Sequence, residues 1–223
     1  MRQQDTLKSQ KIPSRLRRRL LFATIGFWLP ALIFIKLAQE VLERKPILVD
    51  MQIIDVIQSG SAAWLTNTAK LLTHGGDSLT IALATALLVC GLLYYSRRRD
   101  ALAVLFAVGG AGVINYILKL FFQRARPDAI TALVHENSFS FPSGHAMGSS
   151  ALAFALIIML WRTKWRWFAV VIGALCIPLI GFTRVYLGAH YPSDIIAGWC
   201  VSAIWVVTVY IALEHPLFIK RHI

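Results

Sequence analysis

Charged side chains are scarce in this chain: they make up 15% of its 223 residues, against 57% hydrophobic residues and a mean hydropathy of +0.62. Soluble domains carry about 25% charged residues, so the composition excludes an ordinary soluble globular protein and indicates a membrane protein. Acidic residues are scarcer still, 11 against 23 Lys and Arg, for a formal net charge of +12. With no cluster of carboxylates, nothing is offered to hold a divalent cation, and no metal or other cofactor is expected. Cysteine is nearly missing: Cys90, Cys176 and Cys200 each lie inside an apolar run, which excludes a disulfide frame or a thiolate metal site and leaves small core residues as the expectation. Internal repeats and low-complexity tracts are absent. Gly109-Gly110-Ala111-Gly112 has neither a preceding strand nor a following Lys-Ser, so it is no nucleotide loop, and close helix packing is expected there.

What is present is a series of long apolar runs. A helix needs about 20 mostly apolar residues to cross a bilayer core. Six runs come close: Leu20 to Ala38, Leu79 to Tyr95, Ala101 to Phe122, His145 to Trp161, Trp167 to Phe182 and Ile195 to Leu213. The expected fold is therefore all-α, with six transmembrane helices between a basic tail, residues 1–19, and a second tail, residues 214–223. The first run follows an arginine cluster as a signal peptide would, but no small-x-small cleavage site follows it, and an uncleaved span is expected. Fifteen of the 23 Lys and Arg fall in the two tails and in the turns holding Arg97 to Arg99 and Arg162 to Arg166. Six crossings put all four of these segments on one side, which the positive-inside rule makes the cytoplasm. Residues 39–78 then lie outside. Val49, Ile53, Val56 and Ile57 alternate there with Asp50, Gln52, Asp55 and Ser59, which suits either a helix lying in the interface or a partly buried loop. No catalytic role is assigned to that segment.

The outer ends of the later spans concentrate the polar residues. Lys119, Arg124, Arg126 and Pro127 end the third span; Ser140-Phe-Pro-Ser143-Gly144-His145 opens the fourth; Thr183, Arg184, His190 and Asp194 join the fifth to the sixth. Snorkelling accounts for a lone cation near a membrane, but not for several on the side that positive charge avoids, beside two histidines and an aspartate. An anion site is the better account. Arginine forks match phosphate oxygens and lysine adds a compact charge. Ser143 and Gly144, at the start of a helix, add a hydroxyl and backbone N–H groups. His190 and Asp194 are four residues apart, so the carboxylate can accept from one imidazole nitrogen and leave the other neutral and nucleophilic. His74, His135, His215 and His222 lack such company and are expected to be structural or at the surface.

Together these blocks resemble the type 2 phosphatidic acid phosphatase superfamily, whose pattern is Lys-x6-Arg-Pro, then Pro-Ser-Gly-His, then Ser-Arg-x5-His-x3-Asp. Lys119, Arg126 and Pro127 match the first block, Pro142 to His145 the second, and Arg184, His190 and Asp194 the third. Thr183 stands where the family has serine and keeps a hydroxyl. The resemblance implies that His190 is the nucleophile, Asp194 its orienting partner and His145 the proton donor to the leaving oxygen. It also implies that Lys119, Arg126, Ser143, Gly144 and Arg184 hold the phosphoryl oxygens, without a metal. The substrate implied is a membrane lipid phosphate such as undecaprenyl diphosphate, phosphatidylglycerol phosphate or phosphatidic acid, cleaved at the outer face of the cell membrane. Transfer to a second lipid is the nearest enzymatic alternative, and a non-catalytic lipid-phosphate binder or transporter the alternative of another class. Nucleic acid is not an expected partner, because the arginine clusters flank the spans as topology requires.

Overall fold

A computed structural model describes residues 14–44, 47–127, 133–134 and 138–214, with the side chains of the first helix described from Gly26 onward. The terminal tails, most of the 128–138 connection, and His135, His215 and His222 lie outside the described residues. Among those described, all regular structure is helical: α1 (Ser14–Leu42), α2 (Leu48–Ser59), α3 (Ala63–Thr73), a 3-10 turn (His74–Gly76), α4 (Ser78–Tyr94), α5 (Arg98–Phe122), α6 (Gly144–Leu160), α7 (Arg166–Tyr186) and α8 (Pro192–Glu214). Three of these, α5, α7 and α8, are each long and apolar enough to cross a membrane. The segment Ala63–Gly76 and α4 together form a further candidate, bent by 45°, and α6 is a shorter apolar helix.

Helix α6 is the hub, packing against α5, α7 and α8, while α1 lies on α8 and α4 on α5. Small residues make this close approach possible: Ala107, Ala111, Ala146, Ala151, Ala155 and Ala197 are fully buried. In an apolar solvent, helix association relies on such packing and on interhelical hydrogen bonds. The bonds are present: Ser202 Oγ donates to Met147 O at 2.7 Å and Tyr210 Oη to Ala155 O at 3.0 Å, and Asn115 Nδ2 of α5 donates to Pro142 O in the segment entering α6 at 3.0 Å. In the glycine stretch of α5, Gly110 lies against Trp205, where a Cβ would come within 2.4 Å of the indole nitrogen. That nitrogen donates to Phe106 O at 2.9 Å. Gly109 and Gly112 face open space, so the packing expected of the stretch rests on Gly110.

One expectation needs correction. Cys200 is buried as a core residue should be, but Cys90 and Cys176 are exposed. A helix surrounded by hydrocarbon has no penalty for presenting a small apolar side chain outward. The segment between α1 and α4, read as either an interfacial helix or a partly buried loop, is helical, and it turns a polar residue rather than most of its apolar ones inward. Asp50 and Ile54 of α2 are buried, whereas Val49, Ile53 and Val56 are exposed. A carboxylate with strong donors waiting beneath it decides which face turns in, and those donors belong to α8 and to the segment after α5.

Candidate active site

Four chain segments meet at one end of the bundle: the residues after α5, the strap entering α6, the α7–α8 connection, and the turn between α3 and α4. The strap is seated by Phe141, which is fully buried and packs against Phe122 and Phe34 at ring separations of 4.8 and 6.0 Å. Ser143 then caps α6, accepting from Ala146 N at 3.5 Å, and its own N–H donates to Asp194 O at 3.1 Å. The backbone N–H expected to face an anion at Ser143 is therefore already engaged.

His190 and Asp194 are almost completely buried, and Nδ1 of the ring lies 3.4 Å from Asp194 Oδ2. Pro192 opens α8, so His190 precedes the helix and Asp194 sits in its first turn. On the other side of the ring, Arg126 Nη1 is 3.2 Å from Nε2. A carboxylate can only accept and a guanidinium can only donate. The ring proton therefore belongs on Nδ1 and the lone pair on Nε2. Burial, opposed by the hydrogen bond and charge of Asp194 and aided by the charges of Arg126 and Arg184, lowers His190 from its ordinary 6.5 to about 3. The imidazole is neutral at physiological pH, which is the state a nucleophile requires.

The cations stand around this ring. Arg126 donates to Ala189 O at 2.6 Å, to Ser138 O at 2.7 Å and to Ser138 Oγ at 3.0 Å. Lys119 reaches Ser138 Oγ at 3.2 Å and also donates to Phe139 O. Arg184 is buried and donates from Nη1 to Thr73 Oγ1 at 2.9 Å. The hydroxyl of Thr183 donates to Ile180 O at 2.7 Å within its own helix. His145 is bonded through Nε2 to Asp77 Oδ1 at 2.7 Å. His190 is thus flanked by Asp194 and Arg126, Lys119 meets Arg126 at Ser138, Arg184 is tied to the end of α3 and His145 to Asp77 before α4.

Several neighbours carry no motif. Ser140 donates to Asp194 Oδ2 and lies 3.3 Å from His190 Nδ1. Arg124 donates to Asp194 Oδ1 at 2.5 Å, to Ser193 Oγ at 2.7 Å and to Asp50 Oδ2 at 3.0 Å, and stacks over the Tyr191 ring at 4.0 Å. Asp50 accepts in turn from Ser193 N at 2.8 Å and Ser193 Oγ at 2.5 Å. The segment given no catalytic role therefore braces the site through Asp50, Thr73 and Asp77. The one local cue was His74-Gly-Gly-Asp77 immediately before an apolar run, a compact turn carrying two ionisable groups.

An all-helical, membrane-type fold with a buried neutral histidine among arginines and a lysine defines a class: a membrane protein built to engage an anionic group. The sequence model of the PAP2 superfamily matches residues 100–215, and the chain belongs to that superfamily, whose members are metal-independent phosphatases. The chain is 33% identical over 144 residues to phosphatidylglycerophosphatase B of Bacillus subtilis, covering 62% of this chain and 70% of that one. It is 27% identical over 177 residues to an undecaprenyl-diphosphatase of Sulfolobus acidocaldarius, covering 77% and 82%. Its fold matches the crystal structure of a transmembrane PAP2 type phosphatidylglycerolphosphate phosphatase from Bacillus subtilis with a TM-score of 0.74 at 27% identity, covering 87% of this chain and 98% of that one.

Proposed function

We propose that this protein is an integral-membrane lipid phosphatase that hydrolyses a lipid phosphomonoester or diphosphate through a phosphohistidine intermediate. The observation that carries the reading is the ring of His190, whose proton is held on Nδ1 by Asp194 while Nε2 is presented to Arg126. When the substrate enters, its phosphoryl oxygens replace Nε2 as acceptors for Arg126, with Lys119, Arg184 and Gly144 around them. Nε2 then attacks phosphorus, the bond from phosphorus to the lipid oxygen breaks, and His145 supplies the proton that oxygen needs. Water attacks the phosphohistidine in the second step, giving its proton to His145, and inorganic phosphate leaves. Fixed cations oppose the charge that gathers on the transferred group.

A lipid substrate is favoured by the surface beside these cations. A cleft of about 480 Å³ is lined by Lys119, Arg124 and Arg126 together with Tyr116, Leu120 and Phe139, the last three exposed. An amphiphile with an anionic head and an apolar tail matches both kinds of lining. The six apolar segments and the distribution of Lys and Arg support six crossings with both termini in the cytoplasm and the site at the outer face of the cell membrane.

The test is phosphate release by purified protein from phosphatidylglycerol phosphate, undecaprenyl diphosphate and phosphatidic acid, each radiolabelled in the phosphoryl group. Label recovered as inorganic phosphate, and its disappearance with His190→Ala, is the expected result. Recovery of the label in a second lipid would replace hydrolysis by transfer. Folded protein that binds but cleaves none of the three would overturn the reading.

A further inference from the structure

We infer that Asp77 is a positioning residue for His145, holding its Nε2–H so that proton exchange with the leaving oxygen and with water runs through Nδ1. The inference rests on the proposed role of His145 as proton donor. Asp77 is the N-cap residue of α4, a place where Asp ordinarily accepts from a backbone N–H of the first turn. Here it makes no such bond. Its Oδ1 instead accepts from His145 Nε2 and its Oδ2 from His74 Nδ1, each at 2.7 Å. An aspartate that forgoes its cap is engaged in something other than starting a helix.

The backbone is shaped to permit this. A Cβ on Gly76 would lie 2.7 Å from Ile180 Cγ2 and 3.1 Å from His145 Cδ2. Only glycine lets the turn lie flush against the imidazole. The same turn is held from its other end by the bond from Arg184 to Thr73, so a phosphate-site cation and the proposed acid share one support. Burial pushes the Asp77 carboxyl up, but the hydrogen bonds and charges of His74 and His145 outweigh it and bring it below its ordinary range. The carboxylate is thus ionised at neutral pH.

The chemistry follows from what each atom can do. Ionised Asp77 only accepts, so Nε2 keeps its proton through the cycle. In the first step the Nδ1–H of the imidazolium passes to the leaving oxygen as the bond from that oxygen to phosphorus breaks and the bond from His190 Nε2 to phosphorus forms. In the second, the Nδ1 lone pair takes a proton from water as the water oxygen bonds to phosphorus and the nitrogen–phosphorus bond breaks. The carboxylate steadies the positive charge whenever Nδ1 is protonated and keeps the ring in one orientation.

A plain structural clip between α4 and α6 would use the same contacts, and leaving-group dependence separates the two. The proteins are wild type, Asp77→Ser, Asp77→Glu, His145→Ala and the Asp77→Ser/His145→Ala double variant; serine retains a hydroxyl able to cap α4. The substrates are phosphatidic acid, whose alkoxide needs a proton to depart, and an aryl phosphate, whose phenolate needs little. In the pre-steady-state release of diacylglycerol or phenol, which reports the first step alone, Asp77→Ser is expected to lower the rate on phosphatidic acid by about 10²-fold, the lower end of what general acid catalysis supplies. It should leave that rate on the aryl phosphate within about threefold, and Asp77→Glu should recover part of the loss. The double variant should be no slower than His145→Ala alone. Equal losses on both substrates in Asp77→Ser, or a further loss in the double variant, would overturn the inference while leaving the proposed function standing. If His145→Ala itself shows no leaving-group dependence, its role as acid falls, and the role of Asp77 with it.

Discussion

Replacing Asp194 by Asn turns on which of its two oxygens serves His190. Oδ2 accepts from the Ser140 hydroxyl and from Tyr191 N at 3.0 Å, and faces His190 Nδ1 at 3.4 Å; Oδ1 accepts from Arg124 at 2.5 Å. An amide keeps one acceptor and gains a donor, so its oxygen belongs at the Oδ2 position, with its NH2 group turned to Arg124. His190 then keeps its tautomer, and what disappears is the negative charge facing a ring that becomes positive as it bonds to phosphorus. Hydrogen bonds to charged groups contribute about 1.5–3 kcal/mol, which corresponds to a fall of about 10- to 150-fold in the chemical step. The opposite pose would present NH2 to Nδ1, move the ring proton to Nε2 and remove the nucleophile. That kind of change costs about 10⁴-fold in a serine-protease triad. Single-turnover phosphate release from phosphatidic acid, in one detergent, measures the step. Arg124→Gln should restore part of the activity in the Asp194→Asn background, because the new glutamine oxygen can accept from the asparagine amide, and should lower activity in the wild type. A loss near 10⁴-fold that Arg124→Gln does not relieve would refute the assignment of Oδ2 as the partner of His190.

Further outcomes follow from the same geometry. A cysteine introduced in place of Leu133, in a chain whose three native cysteines are replaced, should react with an impermeant thiol reagent in intact cells; labelling only after lysis would place the site on the cytoplasmic face. Activity should survive EDTA, since Lys119, Arg126 and Arg184 supply the positive charge, and full loss restored by magnesium would contradict that account. Because burial holds His190 near 3 while the unfolded chain binds a proton at 6.5, the unfolded state takes up more protons between these values. Its contribution to stability is therefore complete above about pH 6.5 and declines as the pH falls toward 3. The melting midpoint in detergent should drop more between about pH 7.5 and about pH 5 for wild type than for His190→Gln, and parallel drops would deny His190 this part.

The helices were legible because their cause is local. A backbone in hydrocarbon must satisfy its own N–H and C=O groups, so long apolar runs become helices whatever surrounds them. The runs read from the sequence coincide with α1 and α4 to α8 within a few residues, apart from the longer C-terminal reach of α7 and the ends of α1. The orientation of α2 was not legible, since alternation of apolar and polar residues says which faces differ but not which one finds partners. Asp50 turns in to Arg124 and Ser193, while Val49 and Val56 stay exposed.

The candidate site divides in the same way. Lys119, Arg126, Ser143, Gly144, His145, Arg184, His190 and Asp194 could be singled out by residue type and spacing, and the four-residue interval alone brought His190 and Asp194 within reach of one another. Asp50, Thr73 and Asp77 could not. Asp50 lies 143 positions from Ser193, Thr73 lies 111 from Arg184 and Asp77 lies 68 from His145. Over such distances the order of residues along the chain carries no information about contact. What the sequence by itself determined was the motif residues of the candidate site and the helices that carry them, since both follow from residue type and short-range periodicity. What only the tertiary structure decided was which carboxylate stands behind which histidine, because a short turn pressed against α6 and an inward-facing helix are outcomes of packing the whole bundle.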